Sequence, residues 1–468
     1  LAITVEQINK WMQSAENESL EFKQAKFQYD TIKLHRYCVA LSNEGGGKLI
    51  LGVQNEPRKV VGSNAFPNLN HIKSKIFNKL RIRVDVEEVL HPDGRVIVFQ
   101  VPPRPPGTPL DYEGSYYMRV GEELVPMTSD KLRQIFDEGK PDFFSIITKA
   151  GISSEDVIRL LDTQIYFDRL KMPYPAERNS VIERFVEERL LVKGKSEYHI
   201  TNLGALLFAK DLGDFPSLKS RGARITVYDG NSKATILSDV FVYRGYAAGY
   251  EHLIDYIASR LPSSEIIGKA FREKTREMFP SIAIRELVAN ALVHQDFYAE
   301  GMLITIEIYA DRIEIGNPGL SPIEMDRLLD SYQSRNEVLA DLMRRLGICE
   351  RKGSGIDKVI SEIERWQLPA PDFRNGDKHF TALLFSQIPI LEMTKKDKVR
   401  ACFQHCVLKY VMNEKMSNNS LRERFDLPVT HKDVISVIIK NTVEEGLIKL
   451  DDPESTSKRY ARYIPYWA

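Results

Sequence analysis

The stretch SIAIRELVANALVHQDFY, Ser281 to Tyr298, constrains this chain more than any other. At helical spacing Ile284, Leu287, Val288, Ala291 and Leu292 form one apolar stripe, so the segment must bury that face against other elements. Glu286, Asn290 and His294 fall at i, i+4 and i+8 and stack in one column beside the stripe. Taken alone, an acid one turn before an amide is a weak pattern, and an exposed polar flank accounts for it. The same pair has a chemical use beside a nucleoside triphosphate. The amide oxygen can complete the shell of a Mg2+ that holds the phosphates, and the carboxylate can orient or deprotonate a water.

Later motifs change the weight of that column. LITIEIYADRIEIGN reads as a β-hairpin running into Asn317-Pro318-Gly319. RRLGICERKGSGIDKVISEI then places Gly353, Ser354 and Gly355 just ahead of a helix, where glycines let backbone N–H groups approach phosphates. Each is singly explained by a turn or a helix-start loop. Together, and in this order, IRELVANALVHQDF, IEIGNPG, SRNEVLADLMRRLGICERKGSGI and HFTALLF resemble the GHKL ATP-binding fold. They most resemble the divergent branch found in Schlafen-like bacterial regulators, often labelled RecG-like, over residues 217–390.

That resemblance implies roles. Glu286 would be the catalytic or water-orienting carboxylate and Asn290 the Mg2+ ligand in an ATP site. Asn317 stands where the wider family uses an Asp to accept the adenine amino hydrogens, and Gly319 would be the close-approach glycine beside the base. Gly353, Ser354 and Gly355 would form the lid over the phosphates. His294 matches the motif without a derivable role. An Asn for the Asp weakens adenine recognition without abolishing it, because an amide oxygen still accepts. Ser321 stands in place of a second glycine, so binding is expected above fast hydrolysis and any ATPase activity is expected to be weak.

The N-terminal segment, 1–140, reads as an opening helix, LEFK, a second helix, the buried strand KLILGVQ, and two strands RIRVDVEEVL and RVIVFQVPP across the turn HPDG. ENESLEFKQA, VALSNEGGGKLILGV and GSYYMRVGEELVP resemble the Schlafen/AlbA-type domain, an α/β module associated with nucleic acid. In its nuclease members, two glutamates spaced like Glu16 and Glu21 join an aspartate after the GV strand to hold a metal. Here that place reads Gln54-Asn55-Glu56, so the resemblance implies a poorer metal site and nuclease activity ranks second. The plainer reading has the glutamates solvating a helix–strand junction. No acid lies between Glu56 and Asp85, while Lys73, Lys75, Lys79, Arg81 and Arg83 do, which suits phosphate contacts as well as a solvated helix face.

Residues 141–216 read as a mainly helical, winged-helix-like connector. Residues 391–468 read as helix, short helix, longer helix and polar hairpin. That is the order of a winged helix, with Thr430 to Asn441 as recognition helix and Lys458, Arg459 and Arg462 on the wing. The tail carries 14 Lys or Arg against 11 acids, a mild excess that a protein-contact module also shows. No nucleotide motif lies beyond Gly355, so removing the tail is expected to leave ATP affinity unchanged.

The chain has 468 residues, too many for one core, and the expected fold is multidomain α+β. The Lys plus Arg and Asp plus Glu totals are both 65, so any nucleic-acid surface must be local. Four cysteines without a C-x-x-C pair argue for a reducing compartment, and no apolar run has the length of a membrane span, so the cytoplasm is expected. No Walker A loop is present, which argues against a helicase motor. The expected function is an ATP-binding, DNA-associated transcriptional regulator whose Mg-ATP state modulates nucleic-acid binding. An ATP-dependent nuclease effector is the alternative. Expected partners are ATP and DNA, with RNA and a second copy of the chain left open, and no membrane.

Overall fold

The computed structural model describes residues 3–139, 141–267, 272–299, 301–349, 355–453 and 461–468. The chain divides into two compact units, Leu1–Pro141 and Asp142–Ala468.

The first unit is built on a four-stranded sheet in the order Leu20–Lys23, Gly47–Leu51, Gly94–Val101, Asp85–His91. The first two strands run parallel and the others antiparallel. Successive side chains of a strand point to opposite faces, so KLIL can be apolar throughout only if both faces are covered. They are. Leu49 and Leu51 join a core with the helices Thr31–Asn43 and Leu69–Leu80, while Ile50 joins a second core with Phe22 and with Ile8 of the opening helix. The segment SYYMRVGEELVP forms an antiparallel hairpin, Ser115–Val120 with Glu123–Pro126.

The second unit carries a six-stranded sheet in the order Ile236–Val242, Ala223–Tyr228, Ile304–Ile308, Arg312–Pro318, His379–Phe385, Asp372–Asn375. Its one parallel pairing joins Ala223–Tyr228 to Ile304–Ile308. The hairpin read from LITIEIYADRIEIGN is its centre. The helix Ser281–His294, hereafter the column helix, packs on this sheet and against the helix Gly355–Arg365. Its apolar stripe is buried as the periodicity requires.

Residues 142–216 contain four helices and also a three-stranded sheet, because Ile147–Ile152 joins the hairpin Leu191–Lys193 and Tyr198–Thr201. The tail follows the order read from sequence: Lys395–Val411, Asn418–Arg424 and Lys432–Glu444, then the antiparallel strands Ile448–Leu450 and Tyr463–Pro465. One apolar core runs from Phe144 through the sheet and its helices to Ile448, so connector, sheet region and tail share it.

Candidate functional site

The column helix is fixed at both ends and on its outer side. It starts behind Pro280, which presets the backbone for a first turn. At its other end the Asn336 amide donates to the carbonyls of Val293 and Gln295 at 2.6 and 2.8 Å, satisfying groups that a helix terminus leaves open. On the side, Arg285 forks onto Glu251 at 2.7 and 3.0 Å, holding that carboxyl far down, at about 2. These restraints aim Glu286, Asn290 and His294 together into a cavity of about 1120 Å3, its mouth included.

The opposite wall is Ile315 and Asn317 of the sheet, with Phe380 and Ala382 on the neighbouring strand. The lining is largely apolar with a few polar groups, as small-molecule sites are. Asn317 is buried and its amide donates to the Pro318 carbonyl at 3.1 Å, which leaves its oxygen as the atom able to accept from a ligand. Burial, aided by the charge of Arg335, pushes His294 down to about 4, so it is a neutral imidazole at neutral pH. The Glu286 carboxylate lies directly against Gly355, the first residue of its helix, where any Cβ would run into it. A glycine is needed there by contact, beyond its freedom of backbone.

Gly319 has φ +92° and donates its N–H to the Lys378 carbonyl at 2.8 Å. A Cβ there would meet the Arg335 guanidinium, which bridges to Asp296 at 3.2 Å and to the Leu320 carbonyl at 2.7 Å. Gly319 does not itself line the cavity, but its neighbours Asn317, Leu320 and Ser321 do. Gly353 and Ser354 lie outside the described residues. Sequence reasoning missed Tyr332 and Arg344, which also line the cavity, and Asp357 just inside the Gly355 helix. Burial and the nearby Asp330 raise Asp357 to about 6, and its Oδ1 is buried without a hydrogen-bond partner. Arg344 had a signal in the strongly amphipathic helix Glu337–Arg345; Tyr332, on irregular chain, had none.

Mg2+ in nucleotide sites takes one or two protein oxygens and the rest from phosphates and water, so an amide and an acid on successive turns fit it. The glutamates of the first unit are differently placed. Glu21 is fully buried and paired with Arg119 at 2.5 Å and with Lys23. Glu16 accepts from the Phe22 N–H at 2.6 Å and from the Asn55 amide at 2.8 Å; burial pushes its carboxyl up while the Phe22 N–H pulls it down. Cations and N–H groups fill the places a metal would take, and among the described residues no group of three or more His, Cys, Asp or Glu suits one. This donor set does not fit a divalent ion.

Of the basic run, Lys73, Lys75 and Lys79 lie on the helix Leu69–Leu80, with Arg81 as its left-handed cap. Arg81 and Arg83 are exposed on either side of buried Ile82. Lys79 is already held by Glu113 at 2.8 Å, so it meets any phosphate partly neutralised. Lys458 and Arg459 lie outside the described residues.

Residues 16–128 match the family model described as "Schlafen, AlbA_2". Residues 301–384 match the one described as "Putative ATP-dependent DNA helicase recG C-terminal". The chain joins a Schlafen AlbA-type domain to a GHKL-like ATPase domain. The ATPase match begins after the column helix and takes in Asn317, Gly319 and the Gly355 helix. The AlbA-type match takes in Glu16, Glu21 and the basic run. Together the two domains indicate an ATP-dependent function associated with nucleic acid. No curated protein matches. Among solved structures, the DIP2311 protein from Corynebacterium diphtheriae aligns over 98% of this chain and 96% of its own, at 16% identity and a TM-score of 0.44. No helix among the described residues is long and apolar enough to cross a membrane.

Proposed function

We propose that the chain is a cytoplasmic transcriptional regulator that binds Mg-ATP in the cavity beneath the column helix and binds DNA through its AlbA-type domain and a winged-helix tail. The observation that carries this reading is the convergence of Glu286, Asn290, His294, Asn317 and Gly355 on one apolar cavity, Asn317 and Gly355 lying within the segment that matches the ATPase model. Asn290 would hold the metal through its amide oxygen, and Glu286 would orient or deprotonate water. The Asn317 oxygen would accept from the adenine amino group, with Phe380 and Ile315 against the ring. Neutral His294 can donate from one ring nitrogen and accept at the other. Bound Mg2+ would supply charge neutralisation at the phosphates.

In the tail, the helix Lys432–Glu444 stands where the recognition helix was read, and the two strands after it stand where a wing is expected. The nuclease alternative has less to rest on, because Glu21 is neutralised by Arg119 and Lys23.

Calorimetry with Mg-ATP tests the assignment. Asn290→Ala is expected to abolish measurable binding, and Glu286→Ala to keep it while removing any hydrolysis. Equal ATP affinity in wild type and Asn290→Ala would sink the reading. Labelled DNA and RNA, with and without ATP and Mn2+, should be retained without cleavage.

A further inference from the structure

The cavity lining also includes Ile323 and Leu328, and between them in the chain Asp326 and Arg327 belong to a single 3-10 turn, Met325–Arg327. The end of the tail lands on that turn. Trp467 sits beneath the Arg327 guanidinium, 4.2 Å from charge to ring centre, and the Tyr466 hydroxyl donates to Asp326. Trp467 is in turn held edge-on by Tyr410 at 5.3 Å, so it belongs to the tail's own packing. Arg327 also pairs with Asp330 at 2.5 Å, a carboxylate close enough for its charge to help raise Asp357 in the first turn of the Gly355 helix. That helix begins against Glu286.

The far end of the same helix is gripped by the tail as well. Glu364 accepts from buried His405 at 2.9 Å and lies 3.7 Å from Arg424, whose guanidinium also donates to the Leu368 carbonyl at 2.6 Å. Two elements that line the cavity, the 320–333 wall and the Gly355 helix, are therefore both in contact with the tail.

We propose that Tyr466 and Trp467 are positioning residues of the nucleotide cavity, setting the wall at Asp326 and Arg327 and thereby coupling ATP to the tail. This rests on the reading of the cavity as an ATP site. Cation–π and charged hydrogen-bond contacts of this kind hold one wall position over another only while both partners are present. Coupling is reciprocal, so whatever the tail does to ATP affinity, ATP does to the tail's affinity for duplex. It also reverses the expectation that ATP affinity is indifferent to the tail.

The test uses the full chain, with Mg-ATP calorimetry and duplex binding at saturating and zero ATP. Trp467→Ala, and separately Arg327→Gln from the other side of the contact, are expected to weaken ATP by about five-fold or more and to abolish the effect of ATP on duplex affinity. Duplex binding without ATP should be unchanged in Arg327→Gln, which lies outside the tail. Trp467→Tyr, which keeps an aromatic face, should restore both, and the double variant should be no worse than either single one. Tyr466→Phe covers the case in which Trp467→Ala fails to fold, and is expected to shift ATP affinity in the same direction. ATP affinity and ATP response equal to wild type in these variants, with Asn290→Ala still unable to bind, would overturn the inference alone. A wild type that binds no ATP, or binds it as Asn290→Ala does, would remove the ATP reading and this inference with it.

Discussion

Glu21 and Glu286 are both buried glutamates that sequence motifs single out, and their surroundings are opposite. Glu21 is fully buried and meets Arg119 and Lys23, two cations already in contact with it. Glu286 meets a glycine, an amide one turn away and an open apolar cavity. A buried acid clamped between two cations of the chain is a structural element, whereas one on the lining of an apolar cavity is placed to meet a ligand. The difference teaches that the neighbours of a motif acid carry its function more than its spacing does.

The sharpest way to break this comparison is to remove the acid that should be structural. Glu21→Ala leaves the Arg119 guanidinium buried without its partner and is expected to cost about 3–5 kcal/mol, read by denaturant unfolding of the first unit. A variant that folds as stably as wild type, but loses a metal-dependent cleavage, would make Glu21 catalytic. Next in size, Gly355→Ala forces a methyl into the Glu286 carboxylate and is expected to cost about 1–3 kcal/mol and to weaken ATP. A neutral outcome in both readouts would mean that the contact between the Gly355 helix and the column helix is not maintained.

The cavity should also declare itself through pH. The unfolded chain protonates His294 near its ordinary value, while the folded chain resists until about 4. Stability from this group is therefore complete above roughly pH 6.5 and falls, by about 3 kcal/mol, as pH drops from there to about 4. His294→Gln should flatten the fall, seen in thermal melts across the range. The smallest effect belongs to the basic run: Lys75→Ala with Arg81→Ala should reduce the salt slope of nucleic-acid binding by about one to two units, equally for all sequences. Lys79→Ala should do less, because Glu113 already holds it.

What the sequence made legible was local. The column helix, the central hairpin and the order of the tail's elements rest on periodicities that need only neighbouring residues. The ATPase and AlbA-type identities came from long, collinear motifs. What stayed hidden was decided by sheet order and packing: Gly355 against Glu286, Arg119 against Glu21, Asn336 capping the column helix, Trp467 on Arg327. The connector's extra strand escaped for a different reason. Ile147–Ile152 is short, has no buried residue and lacks alternation, so nothing in ITKAGI marks it as one strand of a three-stranded sheet.

The continuous core of the second unit has a thermodynamic consequence. Segments that share one core have no cleavage plane along which to melt separately, so connector, ATPase domain and tail should unfold in one cooperative transition. A ligand bound in the cavity then protects chain it never touches. At a hundred-fold excess over its dissociation constant, ATP adds about 2.7 kcal/mol to the whole transition, tail included. Proteolysis of the tail's helices would slow by the same factor as proteolysis of the cavity, and the first unit, with cores of its own, would not share in the protection.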